Sequence, residues 1–133
     1  MKEVKIYKCN VCGNIVLKLE NESENLVCCN LPMILLKANS TDASVEKHVP
    51  FLKEKVKDCQ IAHAPIYKVQ IGSTEHPMLP EHFINWIGAF SNNDWVIKWL
   101  TPGDKPEHNL KVGTDATIYE YCNVHGLWKK TNE

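Results

Sequence analysis

The strongest constraint on this chain is the clustering of four of its six cysteines near the N-terminus. They read Cys9-Asn10-Val11-Cys12-Gly13 and then Cys28-Cys29. A C-x-x-C turn places two sulfurs on one tight loop, and a second pair from a later loop closes a tetrahedron. Four thiolates suit iron or zinc. The surrounding segment, residues 1–37, offers only two short strand candidates, Val4 to Lys8 and Asn14 to Leu19 after the turn at Gly13. A segment this small cannot bury a core and needs a metal or disulfides to fold. Adjacent Cys28 and Cys29 cannot easily bond each other, which favours metal over a disulfide framework. Spacing alone does not separate iron from zinc.

The polar run Ala38-Asn39-Ser40-Thr41-Asp42-Ala43-Ser44 reads as a linker. The expected organisation is therefore a metal module over 1–37 and a larger domain over 38–133. From His48 onward the pattern is β-type. Candidate strands are Phe51 to Val56, Pro65 to Gly72, Phe83 to Phe90, Asp94 to Leu100 and, last, Thr117 to Cys122. Ser91-Asn92-Asn93 reads as a hairpin turn, and Trp95, Ile97 and Trp99 share one face. Pro80 to Ile87 is also compatible with a short helix. Many short strands separated by turn residues argue for an all-β antiparallel sandwich. Trp86, Trp95, Trp99 and Trp128 read as core.

A net charge of −1 gives no basic excess for nucleic acid. No apolar run approaches the ~18 residues of a membrane span. The charged stretch Met1 to Lys8 lacks the apolar region of a secretory signal. The expectation is a soluble, cytoplasmic protein.

A second constellation is histidine-rich: Glu46-Lys47-His48-Val49-Pro50, His76-Pro77-Met78, His82, and Cys122-Asn123-Val124-His125-Gly126. These residues fall at loops or strand ends, which one end of a sandwich can bring to a point. Four imidazoles and a thiolate make a nitrogen-rich site with soft axial donation, suited to iron, with zinc or copper as competitors. Taken singly, a histidine is more often an ordinary side chain than a ligand. His63 and His108 receive that reading, and Cys59 reads as a buried or free thiol.

The joint pattern resembles known families. Tyr7 to Met33, with Gly13-Asn14-Ile15-Val16 and Val27-Cys28-Cys29, resembles desulforedoxin, whose second cysteine pair is also adjacent. The motifs around His48, His76, His82 and Tyr121 to Trp128 resemble superoxide reductase, and the whole chain resembles desulfoferrodoxin, the two-iron form. The resemblance implies two iron ions per chain. One would be held by Cys9, Cys12, Cys28 and Cys29. The other would be held equatorially by His48, His76, His82 and His125, with Cys122 as axial thiolate. It implies an immunoglobulin-like sandwich, one-electron reduction of superoxide to hydrogen peroxide, and a rubredoxin-type electron donor. Residues 53–67 depart from any motif of the family.

Five protein ligands leave one octahedral position open to a small anion. Lys47 beside it would draw superoxide by its charge. Glu46 is expected to occupy that position once peroxide leaves. The four-cysteine iron would relay electrons or only staple its module, and pairing of that module's edge strands makes a homodimer the expected state. Two rivals remain open: a non-catalytic two-iron electron carrier, and a zinc-stabilised binding module. A metalloprotease is disfavoured, because no H-E-x-x-H occurs.

Overall fold

The computed structural model describes residues 3–59, 64–91, 94–111 and 115–131. The chain divides into two compact units, Met1–Lys37 and Ala38–Glu133. In the first, β1 (Lys5–Lys8) pairs antiparallel with β2 (Ile15–Lys18) and β5 (Ile34–Leu35), while β3 (Val27–Cys28) pairs with β4 (Leu31–Pro32). Ile6, Tyr7 and Cys9 are buried, but Val11, Leu19, Val27, Leu31 and Ile34 remain exposed. Such a unit has too little interior to hold itself together by burial alone.

The second unit opens with a single helical turn, α1 (Val45–His48), and continues through β6 (Pro50–Cys59), β7 (Ala64–Ile71), β8 (Ile84–Ser91), β9 (Asp94–Trp99), β10 (Glu107–Lys111), β11 (Thr117–Cys122) and β12 (Gly126–Thr131). Two antiparallel sheets form, ordered β10-β7-β6 and β12-β11-β8-β9. Between them lies a core of Val69 and Ile71 from β7, Leu110 from β10, Ile84, Ile87 and Ala89 from β8, and Ile118 and Cys122 from β11. This is the all-β, sandwich-type fold the sequence indicates. Among the described residues no helix is long and apolar enough to cross a membrane.

Some local expectations need correction. Pro80 to Ile87 is not helical: Ile84 onward is strand, and Leu79 and His82 form an isolated antiparallel bridge. The last strand is β12, not β11. Strand β10 and helix α1 lacked a periodic signal because they are short. The polar run 38–44 is more than a tether. Asn39 donates its backbone N–H to Leu127 O (3.0 Å), and its carboxamide bonds both Lys129 N (2.8 Å) and Lys129 O (3.1 Å), docking it on the edge of β12. Strands β6 and β7 form one antiparallel pair with two register shifts in β6, so the departing segment 53–67 lies largely in a strand pair. The hairpin tip Asn92-Asn93, His63 and the side chain of Cys59 lie outside the described residues.

The outer face of the four-stranded sheet is aromatic. Trp86 stacks on Tyr121 with centroids 6.2 Å apart, and Trp95 contacts Trp86, Phe90 and Tyr119. Gly88 makes room for this packing, since a Cβ there would lie 2.8 Å from the Trp95 ring. The register puts Trp95, Ile97 and Trp99 opposite Phe90, Gly88 and Trp86, hence on this one face. Trp99 is nevertheless 74% exposed, so it is not a core residue.

On the inner face of β11 a carboxyl group sits among aliphatic side chains. Glu120 shares the side of Ile118 and Cys122, is fully buried, and neither of its oxygens accepts a hydrogen bond from a described residue. Burial pushes its pKa well above the usual carboxyl value. An unpaired buried polar group costs about 1–3 kcal/mol. Glu120→Met should therefore raise the unfolding temperature of the second unit, measured by calorimetry on the metal-loaded protein.

Candidate metal centres

The first centre is built by two turns. Cys9 directly follows β1, and the loop closes with Cys9 N–H to Asn14 O and Gly13 N–H to Cys9 O, both 2.9 Å. The opposite turn joins β3 to β4 through Cys29 (φ 53°) and Asn30 (φ 62°). Positive φ at both central residues is the signature of a two-residue hairpin turn that follows the twist of its strands. Neighbouring residues in a strand point to opposite faces; the left-handed conformation of Cys29 brings its sulfur back to within 4.0 Å of Cys28 Sγ. Cys12 Sγ lies 3.5 Å from Cys28 Sγ. These separations bracket the ~3.8 Å edge of a tetrahedron with metal–sulfur bonds of ~2.3 Å.

The titration of these thiols points the same way. Backbone N–H groups of Cys12 and Val11 lower Cys9 to about 6. Its sulfur neighbours Cys12, Cys9 and Cys28 push Cys29 up to about 12. Four crowded sulfurs resist joint ionisation unless a cation shares them. Asn14 Nδ2 donates to Cys28 Sγ at 3.5 Å, a side-chain contribution that spacing alone did not reveal.

The second centre gathers side chains from four places. His48 ends α1, His76 and His82 flank the loop before β8, and Cys122 ends β11. One donor atom from each lies within 4.8 Å of the others. His125, from the β11–β12 turn, has Nδ1 3.0 Å from His48 Nε2 and 3.9 Å from Cys122 Sγ. His108 lies on β10, outside this group.

Proton positions decide what this cluster is. His48 Nδ1 is 2.6 Å from the Ser44 carbonyl, and His76 Nδ1 is 2.7 Å from the Pro77 carbonyl. A carbonyl only accepts, so both Nδ1 atoms carry the hydrogen in a neutral ring. Both Nε2 atoms then present lone pairs, yet they face each other at 3.2 Å. Among the described residues, His82 Nε2 is buried with no partner. Burial holds His76 down at about 4 and lowers His48 and His82 as well, with neighbouring imidazoles and Lys47 adding to the effect. Neutral imidazoles with converging lone pairs about 3 Å apart match neighbouring donors on a metal with ~2.1 Å bonds. Burial raises the Cys122 thiol, while the His125 N–H, 3.4 Å from Sγ, and that of Val124 pull the other way.

The supports were not legible in the sequence. Trp128 stacks on His48 at 4.8 Å and donates Nε1–H to the His125 carbonyl. Gly72 has φ +80°, and a Cβ there would stand 2.4 Å from Thr74 O and 2.6 Å from Lys47 O. The loop after β7 thus passes directly beneath α1, where Thr74 N–H and Ser73 Oγ–H bond the Glu46 carbonyl. Glu46 and Lys47, exposed on that turn, sit in the sequence beside His48.

A tetrathiolate group and a separate histidine–cysteine group define a non-haem protein with two metal centres. Residues 40–131 match the family model for desulfoferrodoxin, and residues 1–36 match that for its N-terminal domain. A desulfoferrodoxin from Syntrophotalea carbinolica is 44% identical over 96% of this chain and 95% of its own. One from Nitratidesulfovibrio vulgaris is 41% identical over 96% and 95%. The superoxide reductase from Treponema pallidum has a crystal structure that superposes with a TM-score of 0.68, at 26% identity, over 98% of this chain and all of that one. The chain belongs to the desulfoferrodoxin family. Its two donor groups fit the two iron sites of that family.

Two outcomes test this geometry. Cys29→Ala should abolish iron in the first centre and leave the second filled, by metal analysis and visible spectra. Gly72→Ala should do the reverse, because displacing α1 moves His48; a second centre unchanged in metal content would show that the backbone absorbs the methyl group.

Proposed function

We propose that this protein is a superoxide reductase. The observation that carries it is a cluster of neutral imidazoles and one cysteine, with an exposed lysine next to His48 in the sequence, on a chain of this family. When bound, ferrous iron supplies the one electron that superoxide needs. Two protons complete hydrogen peroxide, and no oxygen is released.

The chain's own residues do the rest. His48, His76, His82, His125 and Cys122 would hold the iron, which when bound supplies the electron and a site for the anion. Lys47 attracts superoxide; its charge already reaches His48 and His82. Glu46, anchored through its backbone carbonyl, would supply a carboxylate to the oxidised iron after peroxide leaves. Val124 and His125 N–H groups temper the charge on the Cys122 sulfur. Residues 38–133 form the catalytic domain and residues 1–37 the four-cysteine iron module. A rubredoxin-type protein re-reduces the iron. Exposed Val11, Leu19, Val27 and Leu31 on the module, and Trp99 on the sandwich, favour a homodimer. Ligand thiolates require a reducing compartment, which favours the cytoplasm.

The test is rapid mixing of the reduced, iron-loaded protein with superoxide. One equivalent of peroxide per reduced histidine-site iron, without oxygen, is expected, and zinc-substituted protein should be inert. Reversible oxidation without superoxide consumption would instead leave an electron carrier. Lys47→Ala should slow the second-order step roughly tenfold at low salt and flatten its dependence on ionic strength.

A further inference from the structure

Asn123 lies between two of the clustered residues, Cys122 and His125, yet its side chain serves neither. Oδ1 accepts the N–H of Phe83 at 2.8 Å, and Nδ2 donates to the carbonyl of Glu81 at 3.1 Å. Its backbone N–H donates to the Phe83 carbonyl at 3.1 Å. All three bonds cross about forty residues of sequence; the two side-chain bonds grip the peptide units on either side of His82, and the backbone bond grips the next one.

The rings of His48 and His76 have direct restraints. Carbonyls of Ser44 and Pro77 fix the rings of His48 and His76, and Trp128 stacks on His48. Among the described residues no carbonyl holds the ring of His82, whose Nε2 is buried without a partner. Its placement comes from the backbone: the two bonds it exchanges with Leu79 (2.9 and 3.0 Å) and the grip of Asn123. The register between β11 and β8 shifts between Tyr121 and Cys122, and the ladder ends at the Cys122–Ile84 pair, short of His82.

We propose that Asn123 is the positioning residue for His82, locking the segment that carries it to the turn that carries Cys122 and His125. A carboxamide suits this task because it offers a donor and an acceptor side by side, as a strand neighbour would. The inference rests on the reading of His82 as a metal ligand.

The test compares Asn123→Leu, His82→Ala and the double variant with the unaltered iron-loaded protein. The readouts are the rate at which a chelator removes the histidine-site iron and the visible band of its oxidised form. Asn123→Leu is expected to speed iron loss about tenfold or more and to shift the band. Asn123→Asp, which keeps the acceptor and the shape, should fall between; it replaces the leucine variant if that one does not fold. In the His82→Ala background, adding Asn123→Leu should change the rate less than twofold, because the residue through which it acts is gone. An equal acceleration in both backgrounds would overturn the proposal and leave Asn123 a general structural residue. If His82→Ala alone changes neither rate nor band, the ligand reading of His82 fails, and this inference fails with it for that separate reason.

Discussion

Nitrogen lone pairs aimed at one another are the constraint on which the larger unit depends. His48 and His76 have each given their hydrogen to a carbonyl, so their remaining nitrogens converge unprotonated at 3.2 Å. Without a cation that arrangement is repulsive, and protonation cannot relieve it while burial holds His76 at about 4. The sandwich exists in part to impose it. Helix α1, the loop before β8 and the turn after β11 come to one place because two sheets fix where those connections start and end. The stiffness of the sheets is what makes five separate side chains behave as a single preformed site.

Ligand type and local motif in the sequence pointed to the residues that cluster. His48, His76, His82, Cys122 and His125 come together in the structure, and so do the four N-terminal cysteines. The β-type fold was also legible, because period-two patterning over β7, β8 and β9 is a property of each strand by itself. What stayed hidden is what depends on tertiary contact. The register shift near Cys122 defeated the reading of Pro80 to Ile87, where buried Ile84 and Ile87 are three residues apart, as in a helix. Trp99 looked like core because hydrophobicity does not reveal which face of a sheet lacks a cover. Glu120 gave no signal at all: one acidic residue in an alternating strand reads as a solvent-facing position.

The two centres are held by different means. In the histidine site the protein supplies rigidity through many restraints remote in sequence, such as Gly72 beneath α1 and Trp128 against His48. In the cysteine site the restraints are local, two tight turns within a short stretch, and the unit around them exposes most of its larger aliphatic side chains. One site is therefore organised before metal arrives, and the other is organised largely by the metal.

The turn at Cys29 and Asn30 ties the lifetime of the chain in a cell to its metal. Cys29, a non-glycine residue in the left-handed conformation, opposes that turn by about 1 kcal/mol or more, and metal–sulfur bonds would hold it closed. A copy made during iron shortage would carry a loose N-terminal segment, accessible to proteases, on an otherwise folded domain. Iron supply would then set not only how active the pool of this protein is, but how long each molecule in it survives.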